Sequence, residues 1–137
     1  MRYLKTFRTV SQAAEEGFLH GIKRTCYDTF YPFQIFPQKG LQQVEFDNIT
    51  LFYGGNGSGK STLLNVIAAE IGAERMAAFN KSNFWDDYVR RCETEYYSTQ
   101  TENRCIITSD DVFDYMLDIR SLNDGIHEKR EERLAEY

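Results

Sequence analysis

The sequence predicts an α/β fold with a mixed β-sheet, and three observations carry that expectation. A β-rich run, Ile49-Thr50-Leu51-Phe52-Tyr53, stops abruptly at glycine. Directly beyond it, apolar residues recur at helical spacing from 60 to 71. Upstream, short apolar stretches alternate with turn signals. The β-rich run reads as a central, buried strand, flanked by antiparallel strands from the N-terminal region, with helices packed alongside.

Composition bounds the rest. The chain has 137 residues, about one domain's worth and too few for two lobes around a catalytic cleft, so 1–137 reads as a single domain. Hydrophobic residues make up 42% and aromatic residues 15%, which argues against a disordered chain. A net charge of −5, from 16 basic and 21 acidic residues, indicates no general attraction to nucleic acid or anionic membrane. No apolar run approaches the roughly 18 residues of a membrane helix, and the polar N-terminus lacks an apolar signal core, so secretion is not expected. Three cysteines (Cys26, Cys92, Cys105) without C-x-x-C spacing give neither a disulfide framework nor a zinc site. A cytoplasmic location with reduced thiols is expected.

In chain order, Tyr3, Phe7 and Val10 suggest a short strand, and residues 11–21 read as polar turn and loop. Tyr27, Phe30, Tyr31, Phe33 and Phe36 form an aromatic cluster punctuated by Pro32 and Pro37, which favour extended or looped chain. Lys39-Gly40 is a turn; Leu41, Val44 and Phe46 give a short edge-like strand; Asp47-Asn48 turns again. Leu63, Leu64, Ile67, Ala68 and Ile71 share one face of a helix that Gly72 ends. Phe84, Trp85, Tyr88, Val89 and Cys92 repeat that spacing in a second helix, and residues 93–104 read as loop. Cys105-Ile106-Ile107-Thr108 is a further strand candidate. Ser109 can cap a third helix with Asp110 and Asp111 in its first turn, where the helix dipole favours negative charge. Val112, Phe113, Met116 and Leu117 would be its buried face, and the tail beyond Asp124-Gly125 reads as a charged, solvent-exposed helix.

One motif carries chemistry. Gly54-Gly55-Asn56-Gly57-Ser58-Gly59-Lys60-Ser61 fits G-x-x-x-x-G-K-[ST], and Thr62 follows. A loop that wraps a polyphosphate turns its backbone N–H groups inward, through conformations that side chains resist, which is why glycines crowd here. Those N–H groups and the following helix N-terminus form an anion site. Lys60 would bridge the β- and γ-phosphates, the Ser61 hydroxyl would bind Mg²⁺, and Thr62 is placed to reach the α-phosphate. The dinucleotide fingerprint G-x-G-x-x-G fails, because the residue it requires to be glycine is Lys60 in one register and Thr62 in the other. Nucleotide binding, with ATP and Mg²⁺ as ligands, is the expectation.

From Ile49 through Asn65 the sequence resembles the Walker A region of ATP-binding cassette ATPases, and the string Asn-Gly-Ser-Gly-Lys-Ser-Thr-Leu-Leu points to ATP rather than GTP. The short lead-in, Val44-Glu45-Phe46-Asp47-Asn48-Ile49-Thr50, is similar to the soluble RecF/SMC-like branch. Residues 106–113 more loosely resemble the segment after the first helical insertion in bacterial AAA family ATPases of that branch. The resemblance implies a P-loop NTPase lobe, a cytoplasmic hydrolase activity, and a homodimer or second ATPase lobe as partner. It also implies parts that the sequence does not supply in recognisable form. There is no L-S-x-G signature. His20 and His127 do not suit the switch role. The nearest Walker B candidate is Cys105-Ile106-Ile107-Thr108-Ser109-Asp110-Asp111, where Asp110 or Asp111 would serve Mg²⁺. Gln100 stands as the Q-loop candidate. The chain therefore reads as the N-terminal lobe of a two-lobe ATPase that binds ATP with little turnover of its own. Tyr27, Phe30, Tyr31 and Arg24 are the candidates for holding adenine.

Two other readings compete. A self-sufficient small P-loop kinase would use Arg90, Arg91 and Arg104 as a lid. A non-hydrolysing module would let a protein partner read its ATP state.

Overall fold

The computed structural model describes residues 3–22, 30–55, 57–79, 81–97 and 103–136, and they divide into two compact units. The first comprises Met1–Glu74 and Phe79–Cys105, and the second Arg75–Ala78 and Ile106–Tyr137.

The first unit is built on a three-stranded antiparallel sheet. Its middle strand is β1 (Leu4–Arg8), with β2 (Gln43–Glu45) on one side and β3 (Glu93–Tyr96) on the other. Phe7 pairs with Val44 across one ladder and with Thr94 across the other. The predicted N-terminal strand and the edge strand around Val44 are thus present. The third strand lies in residues read as loop. Its sequence, Glu93-Thr94-Glu95-Tyr96, alternates charge with β-forming residues, and Arg8 answers the charge from β1, 3.8 Å from Glu93 and 3.9 Å from Glu95.

Residues 12–21, also read as loop, form helix α1 (Gln12–Gly21). The Ser11 hydroxyl accepts the Ala14 N–H as its N-cap, and the helix buries Glu15. Helix α2 (Lys60–Glu70) follows the glycine-rich loop and ends at Ile71, with Gly72 left-handed beyond it. Its buried face is Leu63, Val66, Ile67 and Ala68, so Val66 takes the place expected of Leu64, which is 46% exposed. Helix α3 (Trp85–Arg91) is the predicted second helix, with Phe84, Trp85, Tyr88 and Cys92 all buried.

These elements meet in one core. Phe7 and Val10 from β1 and its extension, Phe33 and Phe36 from the aromatic cluster, the α2 aliphatics and the α3 aromatics form a single buried cluster. Phe33 stands edge-on to Tyr88 with ring centroids 4.9 Å apart, and Tyr31 stacks on Trp85 at 5.8 Å. The aromatic segment is irregular, as its prolines predict. It closes in a one-turn 3₁₀ helix (Pro37–Lys39) that Gly40 ends in the left-handed region.

The sheet departs from expectation at its centre. Residues 49–55 form no strand; Ile49, Leu51 and Tyr53 stand 81, 87 and 101% exposed. The named sheet is antiparallel throughout rather than mixed, and the one parallel pairing among the described residues is an isolated bridge between Glu74 and Cys105. The physical reason is that β propensity needs neighbours: no ladder in the described residues reaches this run, so its side chains stay in solvent. Residues 105–108 give that single bridge and no strand.

The second unit is dominated by helix α4 (Ser109–Ala135), 27 residues long with none buried. Thr108, one residue before the Ser109 expected, is the N-cap, and Asp111 closes a capping box on it. Val112, Phe113, Met116 and Leu117, expected to be buried, are 49, 62, 62 and 45% exposed. Helical periodicity shows that a face is apolar; it does not supply anything to cover it. The charged tail is the rest of the same helix, which runs through Gly125 without a break. No helix among the described residues is long and apolar enough to cross a membrane.

Candidate functional site

The site is a cleft of about 400 Å³ between the glycine-rich loop with the start of α2 on one side and residues 34–39 on the other. Gly55, Gly57, Ser58, Gly59, Lys60, Ser61 and Thr62 line the first wall, and Gln34, Ile35, Gln38 and Lys39 the second.

The loop takes its shape from local chemistry. Gly57 and Gly59 adopt φ of 79° and 92°, in the left-handed region that L-residues resist. Gly54 supports the loop from behind, since a Cβ there would stand 2.8 Å from Ser58 Oγ. The Ser58 N–H donates to the Gly55 carbonyl at 3.2 Å and closes the turn. Helix α2 then starts from Gly59, which has no side chain to cap the first-turn N–H groups. That leaves the positive end of the helix dipole facing the cleft.

Two cations reach the loop. Lys60 Nζ donates to the carbonyls of Gly54 and Gly55, the latter at 3.1 Å. Lys39 Nζ, from the opposite wall, donates to the Gly57 carbonyl at 3.1 Å. No carboxylate lines the cleft among the described residues, although the chain as a whole is acidic. Ser58 Oγ is buried without a hydrogen-bond partner. A concave site with two ammonium groups and an uncapped helix start is suited to an anion.

The supports lie behind it. The Tyr31 and Thr62 hydroxyls share a hydrogen bond of 2.9 Å, and Ser82 Oγ donates to the Tyr31 carbonyl. Tyr31 is thus tied to the first turn of α2 while its ring packs on Trp85. Phe30 packs on Phe84 at 5.1 Å, so two of the three aromatics considered for adenine, Phe30 and Tyr31, are partly buried against the core. Glu15, in α1, accepts the N–H of Gln34 at 3.0 Å, at a residue held in the left-handed region with φ of 67°. Burial pushes the Glu15 carboxyl up from its ordinary value, and the Gln34 bond opposes that rise.

Of the residues singled out from sequence, the structure brings Gly57, Ser58, Gly59, Lys60, Ser61 and Thr62 around one cleft, with Gly54 behind. Asn56, Gln100, Arg24, Tyr27 and Cys26 lie outside the described residues. Asp110 and Asp111 belong to the second unit. The Asp111 carboxylate accepts the Thr108 N–H at 2.8 Å and its hydroxyl at 2.9 Å, bonds that hold its pKa below the ordinary aspartate value. No cluster of three metal-ligating side chains occurs among the described residues. The arginines considered for a lid are engaged elsewhere. Arg90 pairs with Asp87 at 2.6 Å, Arg91 lies over the Phe18 ring at 4.2 Å, and Arg104 donates to the Ile71 carbonyl at 2.5 Å. His20 sits in the last turn of α1 and His127 in α4, neither of them in the cleft.

Sequence reasoning missed the facing wall. The signal was present in the aromatic cluster, where Phe33 and Phe36 are buried while Gln34, Gln38 and Lys39 between and beyond them are exposed.

A family model described as an AAA domain matches residues 32–133, about three-quarters of the chain. The chain belongs to the AAA domain family. The match spans both walls of the cleft, and it supports an AAA-type, ATPase-like domain that binds nucleotide. No curated protein and no solved structure gives a significant match to this AAA domain.

Proposed function

We propose that this AAA domain binds Mg·ATP through the glycine-rich loop, as the Walker A lobe of a RecF/SMC-like P-loop ATPase. The observation that carries the reading is the cleft itself: two ammonium groups and an uncapped helix start meet there, with no carboxylate among the described residues that line it. The loop N–H groups and the start of α2 would cradle the β-phosphate. Lys60 would leave the Gly54 and Gly55 carbonyls to lie along the β- and γ-phosphate oxygens. Ser61, which lines the cleft, would offer its hydroxyl to the metal. Magnesium, when bound, neutralises charge on the bridged phosphates. Thr62, held by Tyr31, is the residue nearest in sequence for the α-phosphate. Tyr31 and Phe30, half-buried against the core, are read here as supports of the site.

Hydrolysis in this reading depends on a second lobe and on dimerisation, because no described residue at the cleft supplies a carboxylate to activate water. The nucleotide-binding reading is favoured over a kinase because Arg90, Arg91 and Arg104 make contacts away from the cleft. A thermal-shift series tests the proposal. With Mg²⁺ present, ATP and ADP should each raise the melting temperature of the chain, whereas AMP, which lacks the β-phosphate, should leave it near the unliganded value. Equal stabilisation by AMP would place recognition on the base and sugar and remove the loop from the account.

A further inference from the structure

We infer that Lys39 is a second polyphosphate ligand, acting from the wall that faces the glycine-rich loop; the inference rests on the nucleotide reading of that cleft. Three features of the structure carry it. First, the side chain is already at the loop, with its ammonium 3.1 Å from the Gly57 carbonyl. Second, its aliphatic stem lies along the last glycine of the loop: a Cβ at Gly59 would stand 3.7 Å from both Cδ and Cε of Lys39 and 3.6 Å from Ile35 Cγ2. Third, the backbone that presents it is fixed. The Lys39 N–H and the Leu41 N–H both donate to the carbonyl of Phe36, whose side chain is 1% exposed in the core, and Gly40 ends the turn left-handed.

Chemistry decides what such a lysine is for. A neutral carbonyl is a modest partner for an ammonium group, and a phosphate oxygen is a stronger one, because both members of that hydrogen bond are charged. Lys39 reaches the loop from the facing wall, while Lys60 stands at the start of α2, so the cleft carries a cation on each wall. Neither cation has a carboxylate among the described residues of the cleft to neutralise it. The ligand class that answers a cation on each wall and an uncapped helix start at a glycine-rich loop is a nucleoside polyphosphate. Lys39 exchanges its bond to the Gly57 carbonyl for a phosphate oxygen, and its contribution grows with phosphate charge. It favours the triphosphate over the diphosphate.

The test is a titration of Mg·ATP and Mg·ADP, by calorimetry, into the wild-type chain and four variants. Lys39→Met keeps the stem on Gly59 and removes the charge. Lys39→Arg keeps the charge. Lys81→Met removes a cation outside the cleft, where it lies over the Phe79 ring, and controls for net charge. Lys60→Ala reports on the nucleotide reading itself. The expected result is a roughly tenfold loss of ATP affinity in Lys39→Met, the size of one charge-assisted hydrogen bond, with a smaller loss for ADP. Lys39→Arg recovers most of it, and the unliganded melting temperature of Lys39→Met matches wild type. ATP binding by Lys39→Met that equals that of Lys81→Met would overturn the inference, as would a loss that Lys39→Arg shares in full. If the wild-type chain binds ATP and Lys60→Ala does not, while Lys39→Met is unchanged, the assignment of Lys39 alone falls. If the wild-type chain binds no ATP, both readings fall together.

Discussion

Helices α2 and α4 show two different ways for this chain to hold a helix. Helix α2 has 11 residues and buries four of them, Leu63, Val66, Ile67 and Ala68, in the core of the first unit. Helix α4 has 27 residues and buries none. The first is held by tertiary packing, which is what fixes the glycine-rich loop at its N-terminus. The second rests on local interactions, a capping box and a long hydrogen-bonded ladder. Function follows that division: the cleft is attached to the packed helix.

The largest expected effect strikes the packed side of this comparison. Trp85 is 1% exposed and meets both Tyr31 and Phe79. Trp85→Ala should lower the stability of the first unit by about 3–5 kcal/mol, through lost burial and the cavity left behind. Denaturant unfolding followed by near-ultraviolet circular dichroism would measure it. Hydrogen exchange in α4 should stay nearly unchanged, and a matching loss of protection there would break the distinction between the two helices.

A smaller effect is expected where α1 supports the cleft wall. Glu15→Ala removes the acceptor of the Gln34 N–H, at a cost of about 1 kcal/mol. The pH dependence has a definite sign. Burial raises the folded-state pKa of Glu15 above its ordinary 4.5, so the folded chain binds that proton more tightly than the unfolded chain does. The contribution of Glu15 is therefore fully present below pH 4.5 and is lost as pH rises through the raised value. Urea unfolding of wild type and Glu15→Gln across this range should show the wild-type chain losing ground to the variant as pH increases. A constant difference would mean that Glu15 does not titrate there.

The most local effect concerns α4. Thr108→Ala removes the N-cap and should cost that helix about 1 kcal/mol, read as faster amide exchange in its first turn with no change in the unfolding of the first unit. Acid acts on the same cap through Asp111. The Thr108 bonds hold that carboxyl below its ordinary 3.8, so its contribution is present above pH 3.8 and is lost as pH falls through the lowered value.

How much of this was legible in the sequence depends on how local each feature is. The glycine-rich loop, α2 and α3 can be read directly, because glycine at 57 and 59 and the spacing of Leu63, Ile67, Trp85 and Tyr88 encode their own geometry. Helix α1 was obscured by its polarity; its Ser11 cap was the signal. Strand β3 was obscured by Glu93 and Glu95, whose charge is answered by Arg8 far away in sequence. The run at 49–53 misled in the opposite direction, since β propensity does not reveal whether a neighbouring strand exists. The facing wall of the cleft depends on long-range packing: Phe36 must be buried beside Tyr88 before Lys39 can reach Gly57. No local pattern states that meeting.

The central claim is that the loop ending in Lys60 binds the phosphates of Mg·ATP, and the direct measurement is equilibrium binding of ATP to the wild-type chain and to Lys60→Ala. Lys60 is half-buried and its bonds are to loop carbonyls, so the substitution should leave the fold intact, as a matched far-ultraviolet spectrum would verify. The account predicts saturable binding by the wild-type chain at one site and a loss of at least tenfold in affinity in the variant. Equal ATP affinity in the two proteins would contradict it.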